Sequence, residues 1–174
     1  MTDNQKLNQL VHYICSETKG DPSTLGAVKL NKIIWFSEVF AFIECGKSIT
    51  DEQFIKLQYG PVPKNILSSL SSLEDDGLLA IRSEHFHGYR QKQYISLDDP
   101  DKSFLSEKEK VIVDDVINLI CNNHTATSIS DLTHNDLWNM AAEGEEIPLA
   151  AIFSMTPGAV IEDDELWAKS MLVA

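Results

Sequence analysis

Apolar positions recur at helical spacing along most of this chain, and in one stretch they point almost every way. Leu7, Leu10, Val11 and Ile14 make an amphipathic stripe, which predicts a helix over about residues 3–19 with Asp3 as its cap. Gly20, Asp21 and Pro22 close it, and Ser23 or Thr24 caps the next helix, which runs to about Cys45 before Gly46 stops it. There Ile33, Ile34, Trp35, Phe36, Val39, Phe40, Phe42 and Ile43 leave no polar side, the pattern of a helix buried all round. This helix is expected to be the central post of the fold.

The stretch at residues 56–79, KLQYGPVPKNILSSLSSLEDDGLL, begins with a stiff corner. Pro61 and Pro63 fix their own φ and push Gly60 and Val62 toward extended backbone. Pro63 is expected to be the first residue of a helix, where its missing N–H costs nothing. That helix has the stripe Ile66, Leu67, Leu70 and Leu73 and ends at Gly77. Residues 78–83 and 90–97 read as two strands of a hairpin, with Gly88 in the turn. Ser106 and Glu109 form a capping box ahead of a helix with the stripe Val113, Val116, Ile117 and Ile120. Shorter helices follow, one capped by Thr127 or Ser128 and one by Asn135, before a boundary at residues 156–158. The expected class is therefore mainly α: about six to eight helices round a central buried helix, with one small β-hairpin. Trp35, Phe36, Val39, Phe40, Leu67, Leu70 and Val116 are the expected core.

Composition narrows the partners. The 174 residues carry a net charge of −13, with 43% hydrophobic and 24% charged residues, ordinary values for a globular protein apart from the acidity. An acidic surface repels phosphate, so non-specific nucleic-acid binding is disfavoured, and solubility or a basic protein partner fits better. Cys15, Cys45 and Cys121 are odd in number and far apart, and read as reduced thiols in or near the core. The most apolar run, residues 33–43, is too short to span a bilayer, and residues 1–10 hold no apolar signal region. The expectation is a cytoplasmic protein without membrane contact.

Recognisable chemistry is sparse. The sequence has no phosphate-binding glycine loop, no nucleophile in a familiar setting and no dinucleotide fingerprint. His85 and His87 stand two apart in a hairpin turn and could share a metal, but no neighbour completes a ligand set, so a solvated turn is the better reading. No catalytic residue, metal or cofactor is expected, and the chain is read as no enzyme. The order helix then hairpin is that of a winged helix, with Arg82, Arg90 and Lys92 as wing cations. The helix before them has one lysine and a cluster of acids at its C-terminal end, which argues against DNA recognition.

Three blocks in this order resemble the Panacea domain, the SocA-like antitoxin family of bacteria and their phages: LNKIIWF at residues 30–36, KSITDEQFIKLQYGPVP at 47–63, and NDLWNMAAEGEEIPLAAI at 135–152. The resemblance places a Panacea-like domain at residues 1–153 and a C-terminal appendage at 154–174. It implies a mostly helical domain with a small β element. It also implies an antitoxin that binds and neutralises a protein toxin encoded beside it, by direct blocking or by delivery to a cellular protease. A winged-helix-like DNA-binding regulator is the alternative. The candidate partner-binding residues are Tyr59, Pro61 and Pro63 of the second block and Trp138 of the third. Tyr59 either anchors a partner or packs inward to hold the corner. The ending AKSMLVA is apolar after an acidic segment, and reads either as a packed last helix with Leu166 and Trp167 or as a degradation signal.

Overall fold

The computed structural model describes residues 3–19, 24–86, 88–134 and 136–150. The caps expected at Asp3 and Asn135, the break at residues 20–23, His87 and the C-terminal ending lie outside the described residues or side chains. The elements are α1 (Asp3–Glu17), α2 (Ala27–Cys45), β1 (Phe54–Leu57), β2 (Gly60–Pro63), α3 (Ile66–Asp75), β3 (Leu79–Phe86), β4 (Tyr89–Ser96), α4 (Glu107–Asn123), α5 (Ala126–Thr133) and α6 (Asp136–Met140). The protein is mainly α, and the described residues hold two antiparallel hairpins, β1–β2 and β3–β4, rather than one.

The stripes of α1 and α4 are buried as their periodicity predicts. Leu7, Leu10, Val11 and Ile14 are closed to solvent, as are Val113, Val116, Ile117 and Ile120. Each such side chain contributes roughly 1.5–3 kcal/mol by leaving water. The capping box of α4 is formed: Ser106 Oγ accepts from Glu109 N–H, and Glu109 Oε2 accepts from Ser106 N–H at 2.8 Å. At the end of α3 the Leu78 N–H reaches back to the Leu73 carbonyl at 2.9 Å across Gly77, whose φ is +71°. β3 and β4 pair from Leu79↔Ser96 to Phe86↔Tyr89, with Gly88 in the turn.

Several boundaries differ from expectation for identifiable reasons. α2 starts at Ala27 with Gly26 in the cap position, not Thr24. The chain enters extended there, and a Cβ at Gly26 would lie 2.7 Å from Gln91 Nε2. α5 is capped by Thr125 rather than Thr127 or Ser128; Ser128 is the third-residue partner of that capping box. Pro63 is not the first residue of α3. It closes β2 opposite Phe54, and α3 starts at Ile66 behind Asn65. Glu52, itself buried, fixes that start by accepting from Asn65 N–H at 2.9 Å and Nδ2 at 3.1 Å. α3 buries Ile66, Ser69, Leu70 and Leu73, so Leu67 lies off the stripe and is 71% exposed rather than core. Trp35, Val39, Leu70 and Val116 are core as expected, and Phe36 and Phe40 are partly buried against it.

α2 is central, but it is not apolar all round: Lys29, Lys32, Ser37 and Glu38 are buried with its hydrophobic residues. The Glu38 carboxylate accepts from Ile49 N–H at 2.6 Å, from Thr50 N–H at 3.0 Å and from the Thr50 hydroxyl. This buried acid ties the post to the loop that leads into β1. Burial pushes its pKa up to about 7, against the pull of those three donors.

Candidate functional site

The β1–β2 hairpin is where distant parts of the chain meet. Its register is Phe54↔Pro63, Ile55↔Val62, Lys56↔Pro61 and Leu57↔Gly60. Lys64 N–H donates to the Gln53 carbonyl at 2.8 Å, marking that pair as hydrogen-bonded. Antiparallel pairs alternate, so Ile55↔Val62 and Leu57↔Gly60 also exchange ladder bonds, while Pro61 and Pro63 turn their nitrogens outward. Two prolines therefore sit in a strand without removing a ladder bond.

Each outward edge is satisfied by a distant element. On the β2 side the Pro61 carbonyl accepts from Lys32 Nζ of α2 at 3.2 Å. Lys32 is 1% exposed, and burial pushes its pKa down to about 7. On the β1 side, Lys56 N–H donates to Glu145, Gly144 N–H to Lys56 and Ile147 N–H to Phe54, at 2.7–2.8 Å. Residues 144–147 thus extend the β1 edge.

The hairpin tip is held as tightly. Gly60 has φ +105°, and a Cβ there would fall on Lys32 Nζ and Thr133 Oγ1, so only glycine fits. Ser130 Oγ donates to the Tyr59 carbonyl at 3.0 Å, and Trp138 Nε1 to the Leu57 carbonyl at 3.2 Å. Lys56 Nζ lies 4.0 Å from the Trp138 ring centre and donates to the Ala141 carbonyl at 2.8 Å. His134, the C-cap residue of α5, stacks on the other part of this cluster, its ring 3.9 Å from that of Trp138.

In front of this frame lies an open apolar groove of about 380 Å³ between the start of α2, the hairpin and α3. Val28, Ile55, Val62 and Ile66 form its wall, and Leu57, Tyr59 and Leu67 its exposed rim. Tyr59 is 56% exposed. Lys32 and Asn31 also line it, and Asn31 Oδ1 is buried with no hydrogen-bond partner among the described residues.

Of the four residues singled out in the sequence, Tyr59 and Pro63 line this groove, and Pro61 is buried behind it against Lys32. Trp138 stands apart from the groove lining, half-buried beneath the Leu57 carbonyl. Lys32, Asn31, Leu57 and Leu67 were missed as site residues. The available signal was a lysine inside a helix otherwise read as apolar on every side.

The remaining candidates are spread out. His85 is exposed, and the described residues hold no group of three or more metal-ligating side chains. Strand alternation puts Arg82 on the Gln93 face of the β3–β4 hairpin and Arg90 and Lys92 on the Tyr94 face, so the three wing cations do not share a face. No helix among the described residues is long and apolar enough to cross a membrane.

Neither a curated protein nor a solved structure matches the chain. The model of the family described as Antitoxin SocA-like, Panacea domain, matches residues 30–139, a stretch that includes Lys32, both strands of the β1–β2 hairpin and Trp138 but stops short of residues 144–147. The chain belongs to the SocA-like antitoxin, Panacea domain family.

Proposed function

We propose that this protein is a non-catalytic antitoxin that binds a protein toxin encoded beside it, and that the groove between α2, the β1–β2 hairpin and α3 is the docking face. The observation that carries this reading is the groove itself. A rigid frame presents Leu57, Tyr59 and Leu67 to solvent around an apolar floor that also holds the unpaired Asn31 acceptor. Contiguous exposed apolar surface with a few convergent polar groups is what a protein-binding site requires. A frame already tied down by Lys32, Ser130 and Trp138 loses little entropy on binding. An apolar side chain of the toxin fills the groove, and a donor from its backbone pairs with Asn31 Oδ1. Neutralisation follows either from blocking the toxin directly or from delivering it to a cellular protease. Both start from this contact.

The test is co-expression with the adjacent open reading frame. The expected result is toxicity of that product alone, rescue by this protein, and a copurifying complex that is lost in a Tyr59→Asp, Leu67→Asp double variant. No toxicity and no complex would remove the antitoxin reading. A complex indifferent to the double variant would move the docking face elsewhere.

A further inference from the structure

A second groove, of about 540 Å³, opens on the other side of the first turn of α2. Ala27 and Val28 line both grooves, so that turn is the ridge between them. Positive charge lines the second: Lys29, Arg90 and Lys92 border it together with His124, and no Asp or Glu lines it. In a chain of net charge −13 this concentration of positive charge is out of character. Lys6, Lys47, Lys102, Lys108 and Lys110 all pair with acids, whereas Arg90 and Lys92 have no ion pair among the described residues. Lys29 is only 7% exposed, and its ammonium donates to the Cys121 carbonyl at 3.3 Å, leaving donors to spare.

The backbone adds to this field. The groove is bordered by the N-terminal residues of α2 and of α5, and neither first turn contains an acid. Helix N-termini carry partial positive charge and point N–H groups at whatever lies beyond them. Arg90 supplies a planar fork of donors, Lys29 and Lys92 compact charges, and the two helix ends N–H groups. Together they match a multiply charged oxyanion better than a single carboxylate. The remaining surface is acidic and repels a long polyanion, which favours a small ligand.

We infer that this groove binds a small phosphate-bearing molecule, its phosphate or pyrophosphate group seated between Arg90, Lys92 and Lys29 at the ends of α2 and α5. The assignment is independent of the toxin reading, since it uses the opposite flank of α2.

Calorimetric titration of the full chain with inorganic pyrophosphate, at fixed ionic strength, tests it. Saturable binding to one site is expected, weakened at least tenfold in an Arg90→Gln, Lys92→Gln double variant and unchanged in Arg82→Gln, which removes a cation from the other face of the hairpin. Absent binding, equal binding by the double variant, or equal loss in Arg82→Gln would overturn the site. A parallel titration with a short DNA duplex and with a glutamate-rich peptide separates the sources. Tighter binding of either than of pyrophosphate, lost in the same double variant, would overturn the small-ligand assignment in favour of that polymer.

Discussion

The Lys32 ammonium, on the second turn of α2, donates to the Pro61 carbonyl of β2 and lies directly behind Gly60. This contact joins the central helix to the one strand whose outward nitrogens are prolines. It is the junction on which the hairpin, and so the groove proposed for docking, is set.

Lys32 gives the fold a signed pH dependence. Its folded-state pKa is lowered from 10.5 to about 7, so the stability linked to its neutral form is present above the unfolded value and is lost as pH falls toward 7. Wild-type stability is therefore expected to fall from pH 10 to pH 7 by up to about 1.4 kcal/mol per pH unit from this residue. Urea titrations of a Lys32→Met variant should lack that slope. An identical slope in both proteins would mean that Lys32 is hydrated in the folded state.

Glu38 acts in the adjoining window with the opposite sign. Its pKa is raised from 4.5 to about 7, so its contribution is complete below the unfolded value and is lost as pH rises through 7. A Glu38→Gln variant should lose the decline in stability between pH 4.5 and 7. It should also be less stable at every pH, because a Gln amide cannot accept from all three donors that Ile49 and Thr50 present.

Gly60→Ala combines an unfavourable φ of +105° with a methyl group placed on Lys32 Nζ and Thr133 Oγ1. A loss of about 2–4 kcal/mol is expected from backbone strain and overpacking together. In a Lys32→Met background the two losses should not add, because the residue that is struck has changed. A Gly60→Ala variant within 0.5 kcal/mol of wild type, a margin typical of about neutral surface changes, would show that the hairpin does not press on α2.

Leu67 separates docking from folding. At 71% exposed it contributes little to the core, so Leu67→Asp should leave stability within about 0.5 kcal/mol of wild type. The same change in the proposed docking rim should weaken the toxin complex at least tenfold, about 1.4 kcal/mol, as read by titration calorimetry.

Trp138 is expected to act through the frame rather than by touching the partner. Trp138→Phe removes the donor to the Leu57 carbonyl and should cost about 1 kcal/mol of stability. Affinity for the partner should change less than in Leu67→Asp. The reverse order would place Trp138 in the interface.

What the sequence by itself determined is what depends on neighbours within a turn or two. The stripes of α1 and α4, the Ser106–Glu109 box, and the stops at Gly46 and Gly77 rest on local spacing and local backbone freedom, and each stands in the structure as read. Only the tertiary structure decided how those pieces were used. The spacing of α3 admitted Leu67 to the stripe, but burial depends on which face meets the body, and that face runs through Ser69 instead. The two prolines were legible as stiff backbone. That they form a strand depends on Lys32, far back in the chain, taking the outward Pro61 carbonyl. Trp138 and residues 144–147 meet β1 from the far end of the domain. A buried charge or an unpaired edge is tolerated only when its partner arrives, and every partner here arrives from a distance that local periodicity does not encode.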